Sequence, residues 1–172
     1  MFLPYNNTTR GQLTKIVVLG YSFALYTPPM PTFNDVNTNN PFYVYIETAY
    51  HFNLVSGYVC GNPGEPCPGL YFGPNALVTR GQLCKITVLA AGWEILHPSV
   101  PDFNDVPPTN PFYDYVETGY CHQMVSGYAC GNPGEPCPGL YFRPFANGTR
   151  GQICKIVFNA ILNLSCNPPP QP

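Results

Sequence analysis

The chain has 172 residues, of which 45% are hydrophobic, so it is long and apolar enough to bury a core. Only 9% of the residues are charged and the formal net charge is −2, whereas an average soluble domain has about 25% charged residues. A chain with so little positive charge has no basic field that gathers phosphates, and we therefore set nucleic acid aside as a partner.

A short phrase, Thr-Arg-Gly-Gln, occurs three times at intervals of seventy residues, beginning at Thr9, Thr79 and Thr149. Each copy is followed by a lysine, at Lys15, Lys85 or Lys155. Of the seven Lys and Arg residues in the chain, only Arg143 is neither a phrase arginine nor one of these lysines. The positive charge is therefore placed at repeated positions.

The whole sequence repeats with the same period. A shift of seventy residues aligns residues 33–163 with themselves without gaps. Carried backwards, the shift matches the first phrase to the end of a repeat whose front half is missing. We divide the chain into half of a first repeat (1–26), a second repeat (27–96), a third repeat (97–166) and a proline-rich tail (167–172).

Each full repeat predicts two helices, so the expected fold is mainly α. The first helix begins at Asn40-Pro41 or Asn110-Pro111, an N-cap followed by proline at the first helical position, and stops at Gly57 or Gly127. Its apolar residues recur at spacings of three and four and predict one buried stripe: Phe42, Tyr45, Ile46, Ala49 and Phe52. Glu47 and Glu117 fall on the other side of the helix.

The second helix begins at the repeated phrase, because Thr79 followed three residues later by Gln82 is a capping box. Its predicted apolar face consists of Leu83, Ile86, Val88, Leu89 and Ala90. The loops between the two helices are long, and any strands in them are expected to be brief.

Eight cysteines in a loop-rich chain predict disulfides, and hence an oxidising compartment outside the cytosol. The segment Cys-Gly-Asn-Pro-Gly-Glu-Pro-Cys occurs twice and predicts the bonds Cys60–Cys67 and Cys130–Cys137, each stabilising by roughly 2–3 kcal/mol. The other four cysteines allow three pairings, and the sequence leaves them open: Cys84, Cys121, Cys154 and Cys166. No metal site is predicted, because the spacings are not those of zinc ligands.

Neither a membrane anchor nor a catalytic site is predicted. No segment approaches the roughly 20 apolar residues of a membrane span, and the first ten residues lack the features of a secretory signal, so we expect a mature, surface-associated or soluble form. His51, His97 and His122 occupy unrelated positions in the repeat, and no catalytic arrangement follows from motif spacing. We therefore expect a non-enzymatic protein without a cofactor. Four asparagines are candidate N-glycosylation sites: Asn6, Asn7, Asn147 and Asn163.

Four motifs occur in the same order in both full repeats. They are Phe33-Asn34-Asp35-Val36, the turn Gly57-Tyr58, the segment Phe72-Gly73-Pro74-Asn75 and the phrase at Thr79. In this order they resemble the S-layer homology domain of bacterial cell-surface proteins. The resemblance implies tandem helix–loop–helix units that associate as a pseudo-threefold helical bundle, here with disulfide-closed loops. It also implies non-covalent attachment to cell-envelope polysaccharide.

The resemblance also implies a set of binding residues, because the arginine of the phrase contacts acidic glycan in grooves between repeats of that family. The corresponding arginines are Arg10, Arg80 and Arg150, with Gly81 and Gly151 allowing close approach and Asp35 and Asp105 shaping the groove. A guanidinium beside free N–H groups at a helix N-terminus is a suitable anion site. The alternative is structural: Arg80 pairs with Asp35, Asp105 or Glu117 and fixes neighbouring repeats, while Lys85 is solvated.

Two functions stay open. The missing half repeat predicts an uncovered apolar face on the second helix of that half repeat, at Leu13, Ile16 and Val17. If an upstream segment covers it, the chain is an extracellular anchor on envelope polysaccharide. If a neighbouring chain covers it, head-to-tail contacts make a self-assembling filament or surface lattice.

Overall fold

The structure is a computed structural model that describes residues 1–162 and 164–166. Within these residues the fold is mainly α, as predicted. The helices are α1 (Arg10–Gly20), α2 (Tyr43–His51), α3 (Arg80–Ala91), α4 (Tyr113–Cys121) and α5 (Arg150–Ile161). The strands are β1 (Tyr58–Val59), β2 (Leu70–Tyr71), β3 (Tyr128–Ala129) and β4 (Leu140–Tyr141). The candidate glycosylation site Asn163 and the proline-rich tail lie outside the described residues.

The chain forms two compact units. The first unit is Thr8–Val78, in which α1 packs on α2. The second unit combines Met1–Asn7 with the chain from Thr79 onward, and in it α3 packs on both α4 and α5. Each helix pair α1–α2 and α3–α4 therefore joins the second helix of one sequence repeat to the first helix of the next.

The packing of α1 on α2 corrects one expectation from the sequence. Leu13 and Val17 are fully buried and Ile16 is partly buried, although this face was predicted to be uncovered. The prediction was wrong because it paired helices within a repeat. In the structure the cover comes from α2, which belongs to the following repeat.

Capping boxes begin α1, α3 and α5, as predicted. These are the copies of the second helix of the repeat, called second-type helices below. The hydroxyls of Thr9, Thr79 and Thr149 accept the backbone N–H of the third helical residue, whose glutamine side chain accepts the threonine N–H in return. Leu83, Ile86 and Val88 are buried on α3. The cap and the apolar spacing thus fix both the start of this helix and the face it buries.

Helices α2 and α4, the two copies of the first helix of the repeat (first-type helices), are shorter than predicted. Asn40 and Pro41 form a turn, in which the Asn40 side chain accepts the Phe42 N–H at 2.9 Å, and the helix begins only at Tyr43. It ends at His51, not at Gly57, because Asn53 adopts a left-handed conformation with φ 58°. Asparagine tolerates this conformation, and a glycine was not needed to stop the helix.

Glu47 and Glu117 are buried, which contradicts their predicted position on the outer side of the helix. The chain before each helix folds back over it, so that Glu47 Oε1 accepts the Thr32 N–H at 2.9 Å and Glu117 Oε1 accepts the Asp102 N–H at 3.2 Å. The Oε2 atom of each glutamate has no hydrogen-bond partner in the described part of the chain. Burial raises the pKa of Glu117 to about 8. From the predicted stripe, Ile46 and Ala49 are buried, but Phe52 is exposed.

Two small antiparallel hairpins carry the repeated cysteine loops. Strand β1 pairs with β2 and β3 pairs with β4. Disulfides close the loops between them, joining Cys60 to Cys67 and Cys130 to Cys137. A third disulfide joins Cys121 at the end of α4 to Cys166. Cys84 is a buried thiol and Cys154 is an exposed one.

Candidate functional site

The three phrase arginines bind a segment distant in sequence. Each Nε atom donates to a phenylalanine carbonyl oxygen at 2.8 Å: Arg10 to Phe72, Arg80 to Phe142 and Arg150 to Phe2. Each guanidinium carbon also lies over the ring of that same phenylalanine, at 4.6, 4.6 and 5.2 Å from the centroid. The arginines therefore have a structural role, whatever else they bind, although their partner is a backbone segment and not a carboxylate.

The segment that each arginine binds also covers the N-terminus of the helix to which that arginine belongs. At α3, the Arg80 N–H donates to Ala146 O and the Gly81 N–H to Pro144 O, both at 2.8 Å, while Thr79 accepts the next two N–H groups. Equivalent carbonyls at α1 belong to Ala76 and Pro74, and those at α5 belong to Asn6 and Pro4. The expectation of free N–H groups for an anion was therefore wrong, because protein carbonyls already satisfy them.

The phrase glycines make room for protein atoms. A methyl group at Gly81 would overlap the Phe112 ring, and one at Gly11 would lie 2.6 Å from the Phe42 ring. At Gly151 the nearest atom would be Pro4 O at 3.2 Å, and no aromatic ring is among the nearest neighbours. Close packing against an aromatic ring thus explains the first two glycines, whereas Gly151 packs only against Pro4.

The two motif aspartates fix the segment that each arginine binds. Asp35 accepts the N–H groups of Phe72 and Gly73 at 2.8 and 2.7 Å. Asp105 accepts those of Phe142 and Arg143 at 2.8 and 2.6 Å. Both carboxylate oxygens of each aspartate are engaged by the backbone, so these residues shape the site indirectly.

A cleft of about 140 Å³ lies beside Arg80 in the second unit. Its lining residues are Arg80, Met124, Val125, Ser126, Tyr128, Gln152, Lys155 and Ile156. The Arg80 side chain is nearly buried, with 4% of its surface exposed, and burial lowers the pKa of its guanidinium. Arg80 Nη1 donates to the Tyr128 hydroxyl at 3.2 Å, and Gln152 Nε2 donates to the same hydroxyl at 2.8 Å. Tyr128 thus connects two phrase residues from different helices.

Arg143 lies over Tyr128, with its guanidinium carbon 4.5 Å from the centre of the ring. Arg143 forms a bidentate pair with Glu135 at 2.8 and 2.9 Å and lowers the pKa of that carboxyl to about 2. In the first unit glycine occupies the equivalent position, and the Tyr58 hydroxyl instead donates to Glu65 at 2.9 Å. Because Arg143 engages Glu135, the Tyr128 hydroxyl is left to the Arg80 side of the cleft.

Lys155 supplies an exposed positive charge to the cleft. Its two counterparts lie over tyrosine rings, Lys15 over Tyr45 at 5.0 Å and Lys85 over Tyr115 at 5.1 Å. Lys155 has no such ring beneath it among the described residues. Its ammonium group is therefore available to a ligand.

Sequence reasoning selected Arg80 but missed the other polar side chains of the cleft: Ser126, Tyr128, Gln152 and Lys155. Gln152 and Lys155 belong to the repeated phrase and were available to it. The signal for Tyr128 was the replacement of Gly73 by Arg143, which is the only change of charge in that segment of the repeat. Neither Gly81 nor the aspartates line the cleft.

The histidines lie apart and each has a partner. His51 stacks on Tyr26 at 4.0 Å, and His122 stacks on Trp93 at 3.9 Å. His97 Nδ1 lies 3.0 Å from the Asp114 carboxylate on the surface. Residues 1–162 and 164–166 contain no group of three or more His, Cys, Asp or Glu that could hold a metal ion.

Asn6, Asn7 and Asn147, three of the candidate glycosylation sites, are exposed. Among the described helices, none has the length and apolar character needed to cross a membrane.

Comparison with known families matches residues 32–84 to the S-layer homology domain. The matched region begins at the first Phe-Asn-Asp-Val motif and includes α2, the first hairpin and the phrase at Thr79. No curated protein matches the chain significantly. Residues 32–84 of this chain are therefore similar to the S-layer homology domain.

Proposed function

We propose that the protein attaches non-covalently to acidic polysaccharide of the cell envelope and that the cleft beside Arg80 contacts this glycan. The observation that carries the proposal is the convergence of Arg80, Tyr128, Gln152 and Lys155 on one cleft. The S-layer homology domain, a surface-anchoring domain, supports the same role. The three disulfides are consistent with a location at the extracellular cell surface.

The cleft combines the two kinds of contact that an acidic sugar needs. Lys155 is an exposed point charge and attracts a carboxylate, whereas the guanidinium of Arg80 keeps its remaining N–H groups near the Tyr128 hydroxyl. Met124, Val125 and Ile156 give an apolar wall to pack against the carbon atoms of a sugar ring. Arg10 and Arg150 lack this set of neighbours, and we assign them mainly to fixing the backbone.

Lys155 offers the cleanest test, because it makes no contact that holds the fold among the described residues. Lys155→Ala should lower retention on purified envelope polysaccharide at least tenfold, and added salt should weaken the binding of the unchanged protein. Lys85→Ala is the matched control, since it removes the equivalent lysine from a position over Tyr115. Equal retention of both variants and the unchanged protein would overturn the assignment of the cleft.

A test of Arg80 requires a substitution that keeps the hydrogen bond to Phe142 O. Arg80→Lys retains a positive donor toward Phe142 O but loses the second bond, to Tyr128. We expect weaker polysaccharide retention from a protein whose circular dichroism is unchanged. The corresponding Arg150→Lys variant should bind almost as well as the unchanged protein.

We further propose a non-enzymatic role and a pseudo-threefold arrangement of the capped helices. The cap of α1 is bound by the segment before α3, that of α3 by the segment before α5, and that of α5 by the segment before α1. This cyclic order supports the arrangement. Small-angle scattering that fits only an extended particle would contradict it.

Assembly into a filament or surface lattice is the second candidate function. The sequence suggested this function through an uncovered apolar face on α1, but that face is buried in the structure. The observation that now favours association is the exposure of apolar side chains on α5, including Phe158 and Ile161. Electron microscopy of the purified protein at high concentration tests it, and dispersed monomers would count against a polymer.

A further inference from the structure

An open groove of about 600 Å³ lies at the C-terminal end of α2, in the first unit. This volume is within the range of about 300–1,000 Å³ that is typical of small-molecule sites. The connector before α2, the end of that helix and the turn after it form the walls of the groove. No residue of the repeated phrase lines it, so it is a different place from the cleft beside Arg80.

Aromatic rings form part of the wall. The His51 ring stacks on the Tyr26 ring, with the centroids 4.0 Å apart and the planes 16° from parallel. The Tyr50 ring packs edge-on against Phe33, with the centroids 5.2 Å apart. Tyr26 and Tyr50 nevertheless keep 37% and 38% of their surface exposed. The protein therefore fixes these rings and still leaves part of each one open to a ligand.

The polar side chains of the groove share one property, because each of them both donates and accepts hydrogen bonds. They are the hydroxyls of Thr32, Ser56 and the two tyrosines, the amide of Asn53 and the imidazole of His51. Among its described lining residues none is Asp, Glu, Lys or Arg. A sugar hydroxyl, which also donates and accepts, matches this set. A polyproline segment offers only acceptors, since proline has no N–H group, and a carboxylate finds no cation here.

The second unit does not reproduce the aromatic pair. Seventy residues later, Leu96 stands in place of Tyr26 and Cys121 in place of His51. The backbone nevertheless holds the same position, because the Tyr26 N–H donates to Thr48 Oγ1 and the Leu96 N–H donates to the equivalent threonine, both at 2.9 Å. The fold of the repeat therefore accepts a leucine here, and it does not require the stacked pair.

We propose that this groove binds an uncharged sugar residue of the envelope polysaccharide. The C–H face of the sugar ring packs on the exposed tyrosine rings, and its hydroxyls exchange hydrogen bonds with Asn53 and Ser56. The inference rests on the proposed attachment to polysaccharide and adds a second kind of contact to it. The cleft beside Arg80 takes the acidic sugar through charge, whereas the groove takes a neutral one through stacking and hydroxyl recognition.

The test uses the full chain and a probe that carries no charge. The probe is purified envelope polysaccharide whose carboxyl groups have been reduced to alcohols, a treatment that leaves its neutral sugars intact. NMR should show that the probe shifts the aromatic signals of Tyr26, Tyr50 and His51. Lys155→Ala should leave the affinity for this probe unchanged. If the probe shifts none of these three rings, the proposal is overturned.

Two substitutions alter the groove without disturbing the backbone. Tyr26→Leu introduces the residue of the second unit, and Asn53→Gly removes the amide at φ 58°, which glycine adopts without strain. Each should weaken binding of the reduced polysaccharide at least fivefold. The controls are Tyr5→Leu, at a tyrosine that is 90% exposed outside the groove, and Gln123→Gly, at the equivalent position with φ 56°. Equal affinity of all four variants would contradict the proposal.

The native and reduced polysaccharides separate this inference from the proposed function. If Lys155→Ala is retained normally on native polysaccharide while Tyr26→Leu loses the reduced one, the cleft assignment fails and the groove stands. If Lys155→Ala loses the native polysaccharide and the reduced one shifts no groove signal, the cleft stands and the groove fails. A decaproline peptide that shifts these rings when reduced polysaccharide does not would identify a peptide site and also overturn the proposal.

Discussion

Asp105 and Arg80 both bind the backbone of Phe142. Asp105 accepts the Phe142 N–H at 2.8 Å, and Arg80 Nε donates to the Phe142 carbonyl oxygen at the same distance. Asp35 and Arg10 hold Phe72 in the same way. One acidic and one basic residue, far apart in sequence, thus act on a single residue that precedes a second-type helix.

Asp105→Asn should therefore destabilise the fold. The amide offers one acceptor oxygen and no charge, so at least one charge-assisted bond to a backbone N–H is lost, and we expect a cost of about 2–3 kcal/mol. Urea denaturation followed by circular dichroism measures it. The control is Asp114→Asn, which removes only a surface pair with His97 and should cost less than about 1 kcal/mol. Equal stability of the two variants would contradict this account of Asp105.

Gly81→Ala should destabilise the fold, whereas Gly151→Ala should change its stability little. The added methyl group at Gly81 overlaps the Phe112 ring, and such overpacking costs about 1–3 kcal/mol. At Gly151 the same group meets Pro4 O at 3.2 Å and no ring, so the gain of up to about 1 kcal/mol in helix propensity should offset most of any strain. Thermal unfolding of the two variants compares them directly. A larger loss at Gly151 than at Gly81 would disprove the packing argument.

Glu117 should make stability depend on pH. Burial raises its pKa from 4.5 to about 8, so the folded state disfavours the charged form that the unfolded chain adopts above about pH 4.5. The stability contributed by this group is complete below pH 4.5 and is lost as the pH rises to about 8. Glu117→Gln should flatten the decline in unfolding free energy between pH 4.5 and about pH 8. Glu94→Gln, at an exposed carboxylate, should leave the decline unchanged.

Arg143→Gly introduces the residue found at the equivalent position of the first unit. Arg143 has φ 60°, so glycine relieves about 1 kcal/mol of strain, which offsets the loss of the ion pair with Glu135. Stability near pH 7 should change by less than about 1 kcal/mol, which chemical denaturation would show. Arg143→Ala loses the pair without full relief and should be less stable.

The same substitution should weaken polysaccharide binding. With Glu135 released, the Tyr128 hydroxyl is expected to turn toward it, as Tyr58 does toward Glu65. Retention on envelope polysaccharide should then fall although the fold persists. Unchanged retention would show that Tyr128 has no part in the cleft.

Local features of the fold were predictable from the sequence, and distant ones were not. The capping box at Thr79 depends on residues three apart, so the start of α3 could be predicted. The end of α2 depends on the left-handed conformation of Asn53, which glycine-based reasoning overlooked. The burial of Glu47 depends on a connector that folds back onto the helix, and helical periodicity contains no information about it.

The candidate site shows the same division. Arg80 could be selected because its phrase recurs, but its partners, Phe142 and Tyr128, are 62 and 48 residues away. The role of Gly81 could not be distinguished from the sequence, because a ligand and the Phe112 ring both require a residue without a side chain. Only the packing of α3 on α4 decides between them.

The caps described above also constrain the order in which the chain folds as it is synthesised. The bond from Arg10 to Phe72 spans 62 residues, so α1 leaves the ribosome well before the segment that completes its cap. The bond from Arg150 to Phe2 spans 148 residues and reverses that order. The segment at Phe2 must wait for α5, so folding of the second unit finishes only after that helix has been synthesised.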